Sequence, residues 1–191
     1  ILCDQGADVR NGGEMFCEPA DRPTVLLHDI SHAVANALKR QLAACPQWKL
    51  FMDEANSCKT KIRQTPLAFL MPPELKNKAR WMNLEPLIDW SNRVLKFLDN
   101  PHEGLKKAEV KVTAETVDEK MGWLRQHVES IAQWTLMMEA ASTILMFIRM
   151  NGYHEAAPEE LETLLSKFTH GPPLRMIAEV LNFVRVQSSR A

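Results

Sequence analysis

The feature that most constrains the fold is a stripe of mostly apolar residues, spaced alternately four and three apart, between positions 113 and 151. Its members are Val117, Met121, Leu124, Val128, Ile131, Thr135, Met138, Ser142 and Leu145. This spacing predicts one helix about 50 Å long, which needs packing partners along its whole length. We favour the core of a helical bundle over a coiled-coil seam.

The ends of this helix and five shorter helices are also marked in the sequence. Thr116 and Glu119 form a capping-box pair, Gly152 is a natural C-terminal stop, and Gly122 indicates a kink. Ser31 is the expected N-cap of the first shorter helix. Amphipathic spacing predicts the shorter helices at about 31–44, 47–64, 84–98, 158–168 and 174–184.

Two short apolar runs near the start of the chain predict strands. Residues 1–3 and 24–28 are mostly aliphatic or β-branched, and an aspartate follows each run. Residues 8–18 between them predict a short helix, and strand–helix–strand order implies a parallel pair. The sequence therefore predicts a mainly α fold with a small α/β part, divided into residues 1–45 and a helical domain at 46–191.

Composition and charge exclude several classes of protein. The 191 residues are 46% hydrophobic and 25% charged, with seven glycines and eleven prolines, which excludes a disordered or collagen-like chain. The formal net charge is −1, but residues 37–111 hold fourteen basic and eight acidic residues. A nucleic-acid function would therefore rest on this basic middle third.

The sequence also bears on location. No segment has the roughly 18 uninterrupted apolar residues of a membrane span, and no signal peptide is recognisable. The four cysteines form no CxxC pair, which favours reduced thiols in a cytoplasmic protein with no membrane partner. The first residue is Ile1 rather than Met, so we expect a fragment of a longer protein.

Acidic and imidazole side chains follow the two predicted strands. Asp4 follows the first strand, Asp29 follows the second, and His32 lies three residues further on. Ligands and metals bind at the carboxyl ends of parallel strands, so these residues are candidates for a divalent-cation site. The alternative is that both aspartates cap the turns or helices that follow them and that His32 has a local partner.

Two groups of alternating basic residues lie in the middle third. The groups are Lys59, Lys61 and Arg63, and Lys76, Lys78 and Arg80. Such residues can contact phosphates with a salt-dependent affinity that does not depend on sequence. Trp81 and Trp90 could stack on an unpaired base. The alternative is a solvated helix face with the tryptophans in the core.

Several of these segments resemble one family. Asp4-Gln5-Gly6-Ala7-Asp8 at the end of an apolar strand resembles the second catalytic-aspartate segment of DDE-type transposases. Asp29 to His32 resembles the motif "C or D, two residues, H" of the hAT-type and Mutator-like groups. Residues 78–83 and 87–90 are similar to insertion-domain sequence of bacterial insertion-sequence transposases. Residue by residue, the resemblance covers 1–32 and about 64–92.

The resemblance implies a fold and an activity. The fold would be two parallel strands of an RNase H-like catalytic core followed by a large α-helical insertion. The parent enzyme would cut and join DNA, both transposon ends and target, by two-metal phosphodiester hydrolysis and strand transfer with Mg²⁺ or Mn²⁺. A homo-oligomer is a further expectation.

The resemblance also implies residue roles. Asp4 would be a catalytic, metal-binding residue, and Asp29 and His32 would support the site. Glu139 and Glu179 have core-like neighbours, so we expect the first and third acids outside this chain and the fragment alone to be inactive. The alternative function is a non-enzymatic helical interaction module that uses the 113–151 stripe as a partner seam.

Overall fold

The computed structural model describes residues 2–3, 27–74 and 84–191, and in them the fold is mainly α. Outside the described residues lie Asp4, Lys76, Lys78, Arg80, Trp81 and the helix predicted at 8–18. The chain divides into two compact units: unit 1 is Ile1–Gln41 with Leu136–Ala191, and unit 2 is Leu42–Thr135. The helical domain predicted at 46–191 thus contributes to both units.

The described helices account for most of both units. They are α1 (Ile30–Ala43), α2 (Pro46–Ile62), α3 (Leu84–Asp99), α4 (Pro101–Lys107), α5 (Ala114–Met121), α6 (Val128–Asn151), α7 (Ala157–Leu164) and α8 (Gly171–Ser188). Two 3-10 segments, Ala68–Leu70 and Gly122–His127, precede α3 and α6. Apart from α4, the predicted amphipathic spacing located the helical segments to within a few residues. The single helix predicted at 113–151 is interrupted, because the Gly122–His127 3-10 segment separates α5 from α6.

Two strands of two residues each form the described sheet. β1 (Leu2–Cys3) pairs in parallel with β2 (Leu27–His28), and the register places Cys3 opposite His28. One residue separates β2 from α1, so the chain passes from strand to helix at Asp29.

The core of unit 2 is aromatic. Phe51 of α2 is fully buried, and its ring centroid lies 5.7 Å from Trp48, 5.8 Å from Trp123 and 5.0 Å from Trp134. Trp90 of α3 joins the cluster at 6.3 Å from Trp123, and its indole N–H donates to the Leu70 carbonyl at 2.8 Å. Burying each of these rings contributes roughly 1.5–3 kcal/mol. Four of the five tryptophans thus pack in this cluster.

The core of unit 1 is aliphatic. Buried side chains come from α1, from the C-terminal part of α6, and from α7 and α8. They include Val34, Ala37 and Leu38 of α1, Ile144 of α6, Leu161 of α7, and Met176 and Val184 of α8. The α1 and α8 side chains have the i, i+3, i+4 spacing that the sequence predicted.

Beyond Leu124 the predicted stripe is confirmed at Ile131, Met138 and Leu145, whereas Val128, Thr135 and Ser142 are not buried. The 3-10 segment lies where Gly122 indicated a kink, and its three residues per turn carry the buried face from Leu124 to His127. Val128 is instead 47% exposed, and Ser142 is exposed. The buried positions that follow are Ile131, Trp134, Met137, Met138, Ala140, Ala141, Ile144, Leu145 and Ile148.

Two predicted helix caps were wrong. α5 is capped by Thr113, whose side chain accepts the Thr116 N–H at 3.3 Å, rather than by Thr116 itself. α1 begins at Ile30, and Asp29 Oδ1 accepts the Ser31 N–H at 2.9 Å, so Asp29 performs the role predicted for Ser31. α4 was not predicted, because Pro101, which follows the end of α3, also occupies the first turn of α4.

One helical stretch meets the criteria for a membrane span by length and composition alone. It runs over Ala114–Asn151, and half of its most apolar window is buried within the chain. The core helix of a water-soluble protein meets the same criteria, so the expectation of no membrane partner stays a prediction.

Candidate functional site

The candidate site lies in unit 1, where β2 gives way to α1. Asp29 occupies this junction, and its backbone carbonyl accepts the His32 N–H at 3.2 Å while its carboxylate holds the Ser31 N–H. Asp29 and His32 are therefore both fixed within the first turn of the helix, three residues apart. The capping alternative for Asp29 is correct as far as Oδ1 is concerned, and a carboxylate retains a second oxygen for another partner.

Two side chains from distant parts of the sequence hold the peptide groups of His28. Its N–H donates to Gln187 Oε1 at 2.8 Å, and its carbonyl accepts from the Tyr153 hydroxyl at 2.8 Å. Gln187 is 159 residues away in the sequence and Tyr153 is 125 residues away. We call this pair of contacts the His28 tether. Because the N–H is already used, another strand cannot pair with β2 through it.

Local structure explains how Tyr153 reaches β2. Gly152 ends α6 with a φ of 72°, a left-handed conformation that glycine adopts at little cost, and its N–H donates to the Ile148 carbonyl at 2.8 Å. The chain reverses there and directs Tyr153 towards β2. The Tyr153 ring also contacts Phe183 of α8 edge-on, at 6.5 Å between centroids.

Burial and a nearby negative charge both favour the protonated form of the Tyr153 hydroxyl. Burial raises the pKa of Tyr153 well above its ordinary value, and the negative charge of Asp29 raises it further. An ordinary phenol is already protonated at physiological pH, and the raised pKa extends this hydrogen-bond donor state to higher pH.

Two side chains at the junction of β2 and α1 are of types that can bind a cation. Asp29 offers an oxygen donor and His32 an imidazole, whereas Mg²⁺ prefers an all-oxygen environment. Within residues 2–3, 27–74 and 84–191, no three His, Cys, Asp or Glu side chains are grouped so that they could hold a metal ion. The described donors fit a supporting role and would need further carboxylates for the two-metal chemistry.

The two glutamates weighed as a third acid are engaged elsewhere in unit 1. Glu139 of α6 forms an ion pair with Lys167, and Glu179 of α8 forms one with Arg40 of α1. Both glutamates thus have basic partners, and the expectation that neither is the third acid stays a prediction.

The first predicted basic group lies at the C-terminal end of α2 in unit 2. Lys59 and Arg63 are one turn apart, whereas Lys61 lies about half a turn round the helix from both. Lys59 Nζ is 3.8 Å from Glu74 Oε1, and Lys61 and Arg63 are exposed. The helix therefore does not bring all three cations to one face, and a phosphate contact would use Lys59 with Arg63, or Lys61 separately.

The buried cysteine beside this group is not a reactive thiol. Cys58 packs with its sulfur 3.5 Å from Met121 Sδ. Burial raises the pKa of the Cys58 thiol, against smaller opposing effects of the Trp123 side chain and the charge of Lys61. Cys45 and Cys58 are both free, as the sequence predicted for these two.

Sequence reasoning missed Tyr153 and Gln187. It also missed the contact between His127 and Glu54 in unit 2. Gln187 had a signal, because it lies three residues after Val184 on the apolar stripe of α8 and is 2% exposed. Tyr153 had a weaker one, as the single tyrosine of the chain directly after the glycine that ends α6. A polar residue that continues an apolar stripe indicates a buried hydrogen bond.

Comparisons with known proteins leave the family open. No family model matches the chain, and neither the curated proteins nor the solved structures contain a significant match.

Proposed function

We propose that the chain is an internal part of a DDE-type transposase, in which β1 and β2 belong to an RNase H-like core and the helices form its insertion. The parent enzyme would cut and join DNA ends with Mg²⁺ or Mn²⁺, held in part by Asp4, and the fragment alone would be inactive. DNA would contact the two groups of alternating basic residues, Lys59, Lys61 and Arg63 and Lys76, Lys78 and Arg80.

The observation that carries this proposal is the register of the two strands. Cys3 pairs with His28, and in the sequence these residues directly precede Asp4 and Asp29. Carboxyl ends of parallel strands share one sheet edge, where ligands bind in open α/β sheets. Asp29 caps α1 and His32 lies in its first turn. The two residues have the order and spacing of the motif "C or D, two residues, H".

The alternative, a helical interaction module, required the 113–151 stripe as a partner seam. Val117, Met121 and Leu124 are fully buried in unit 2, and Leu145 is 3% exposed in unit 1. These side chains are used in the chain's own core, so they do not offer a surface to a partner. This leaves the transposase proposal as the one with a specific set of residues behind it.

The DNA part of the proposal can be tested on this chain by measuring its affinity for linear duplex DNA at several salt concentrations. We expect binding that weakens steeply with salt. Replacing Lys59, Lys61 and Arg63 with glutamine should lower the slope of log K against log salt by about 0.9 for each phosphate that the variant no longer neutralises.

A matched control removes three cations elsewhere in the same unit. The control replaces three exposed lysines of α4 and the residues just beyond it, Lys106, Lys107 and Lys111, with glutamine. It changes the net charge by the same amount as the α2 variant. We expect this control to bind with the wild-type slope. No binding at low salt, or equal loss in both variants, would contradict DNA contact through the α2 group.

A further inference from the structure

We propose that Tyr153 and Gln187 are positioning residues for Asp29 and His32, acting through the His28 peptide. This inference rests on the proposed function in one respect only, namely that Asp29 and His32 bind a divalent cation. The tether itself belongs to unit 1 and stands on the geometry of that unit.

The tether fixes the direction in which the chain leaves β2. A residue at the end of a two-residue strand has little sheet around it, and a pair this short is marginal by itself. His28 instead has its N–H and its carbonyl held at 2.8 Å each by side chains from α8 and from the turn after α6. The φ and ψ angles of His28 set the direction of the chain at Asp29. Both angles are therefore constrained by contacts outside the sheet.

The two tethering side chains are themselves constrained. Gln187 is 2% exposed within the apolar face of α8, and Tyr153 lies against Phe183 of the same helix. A buried amide or hydroxyl without a partner is costly, so both groups strongly favour the arrangement in which His28 is bound. The C-terminal part of the chain thereby determines the geometry of a site some 125 residues earlier in the sequence.

The consequence for the site is a fixed relation between the Asp29 carboxylate and the His32 imidazole. The Asp29 carboxylate caps the first turn of α1 through Ser31, and His32 lies in the same turn. If the peptide before Asp29 moved, the cap and the imidazole would move with it. Sites need this kind of supporting contact, because small displacements of ligating groups weaken binding markedly.

The test compares Tyr153→Phe and Gln187→Met with the wild-type chain by amide hydrogen exchange. The amides to follow are those of His28 and Ser31, whose N–H groups bond to Gln187 and Asp29. We expect both to exchange about tenfold faster in each variant, while amides in the middle of α8 are unchanged. Thr143→Val is the control, because it also removes a hydroxyl that bonds to a backbone carbonyl in unit 1.

A second readout separates positioning from stability alone. Mn²⁺ should broaden the NMR signals of the His32 ring in the wild-type chain and in Thr143→Val, and broaden them several-fold less in Tyr153→Phe. Unchanged exchange at both amides, a uniform increase throughout unit 1, or equal broadening in Tyr153→Phe and wild type would overturn the inference. If Mn²⁺ broadens nothing in the wild type, the cation role in the proposed function fails, and the exchange comparison still decides the tether.

Discussion

Glu54 of α2 and His127 of the second 3-10 segment, 73 residues apart in the sequence, lie 2.6 Å apart between Oε2 and Nε2. The His127 ring is 2% exposed and contacts Phe51 and Trp123 edge-on, at 5.4 and 5.8 Å between centroids. The other carboxylate oxygen of Glu54 accepts from Gln126 Nε2 at 2.7 Å. The Glu54 carboxylate thus provides hydrogen-bond partners for two neighbouring side chains of the 3-10 segment that precedes α6.

Glu54→Ala should destabilise unit 2 by about 1–3 kcal/mol, because it leaves the buried His127 nitrogen without its partner. Glu54→Gln keeps an acceptor of the same size, so we expect a smaller loss. Asp53→Ala changes an exposed acid one position earlier on α2 and should stay within about 0.5 kcal/mol of wild type. Urea unfolding measures all three, and equal stabilities for Glu54→Ala and Asp53→Ala would show that the contact contributes nothing.

The buried face of α6 can be tested with two adjacent residues. Ala141 is fully buried and Ser142 is exposed, although the heptad prediction assigned the buried position to Ser142. Ala141→Glu buries an unpaired carboxylate and should cost several kcal/mol, whereas Ser142→Glu should change stability by about 0.5 kcal/mol or less. Thermal unfolding of the two variants measures the difference. The reverse order of stabilities would contradict the burial of Ala141 and the exposure of Ser142.

Gly104 on α4 is required by a close approach rather than by its backbone angles. A Cβ at this position would lie 2.2 Å from a carbon of the Phe97 ring on α3. Gly104→Ala should therefore destabilise unit 2 by about 1–3 kcal/mol, despite the better helix propensity of alanine.

Gly122→Ala is the matched control for Gly104→Ala. Its Cβ would meet only the flexible side chains of Asp118 and Arg125, at 3.1 and 3.2 Å. We expect a neutral or slightly stabilising effect by calorimetry. If Gly104→Ala were as stable as Gly122→Ala, the packing of Phe97 against α4 would be wrong.

The stability of unit 1 should fall at high pH through Tyr153. Its folded pKa is raised by burial first and by Asp29 second, whereas the unfolded chain ionises near the ordinary value of 10.0. The stabilising contribution is therefore complete below about pH 10 and is lost as the pH rises through the folded pKa.

Tyr153 is the single tyrosine, so phenolate absorbance reports this residue alone. Ionisation should be absent from the native protein at pH 10 to 11 and present in urea at the same pH. Tyr153→Phe should flatten the fall in stability over this range. Phenolate appearing at the same pH in native and denatured protein would show that the hydroxyl is not buried against His28.

Periodicity was sufficient to predict most helices, because α1, α2, α3 and α8 are amphipathic and their apolar faces are the buried faces. It failed where a polar residue enters the core. His127 was passed over in favour of the apolar Val128, since nothing in the local sequence shows that Glu54 and two aromatic rings surround the imidazole. The 3-10 turn moved alternate positions of the stripe by one residue, from Val128 to His127 and from Ser142 to Ala141, which a fixed heptad does not predict.

The candidate site could be predicted from the sequence only in part. Asp29 and His32 could be singled out because strand ends and helix starts leave local signals. The His28 tether could not, because it joins backbone groups of one residue to side chains more than a hundred positions away. Such contacts depend on the tertiary fold, and only the buried polar side chain of Gln187 on an apolar stripe hinted at one.

The central claim is most directly tested in the complete reading frame that contains this sequence, by metal-dependent cleavage of DNA carrying the ends of the proposed element. We predict that the frame adds an Asp-bearing strand upstream and a Glu-bearing helix downstream. We also predict that the complete protein cleaves with Mg²⁺ or Mn²⁺ and that Asp4→Asn reduces cleavage to background, while the exposed control Asp53→Asn cleaves normally. Cleavage that persists in Asp4→Asn, or a frame closed by stop codons or unrelated sequence on both sides, would contradict the transposase proposal.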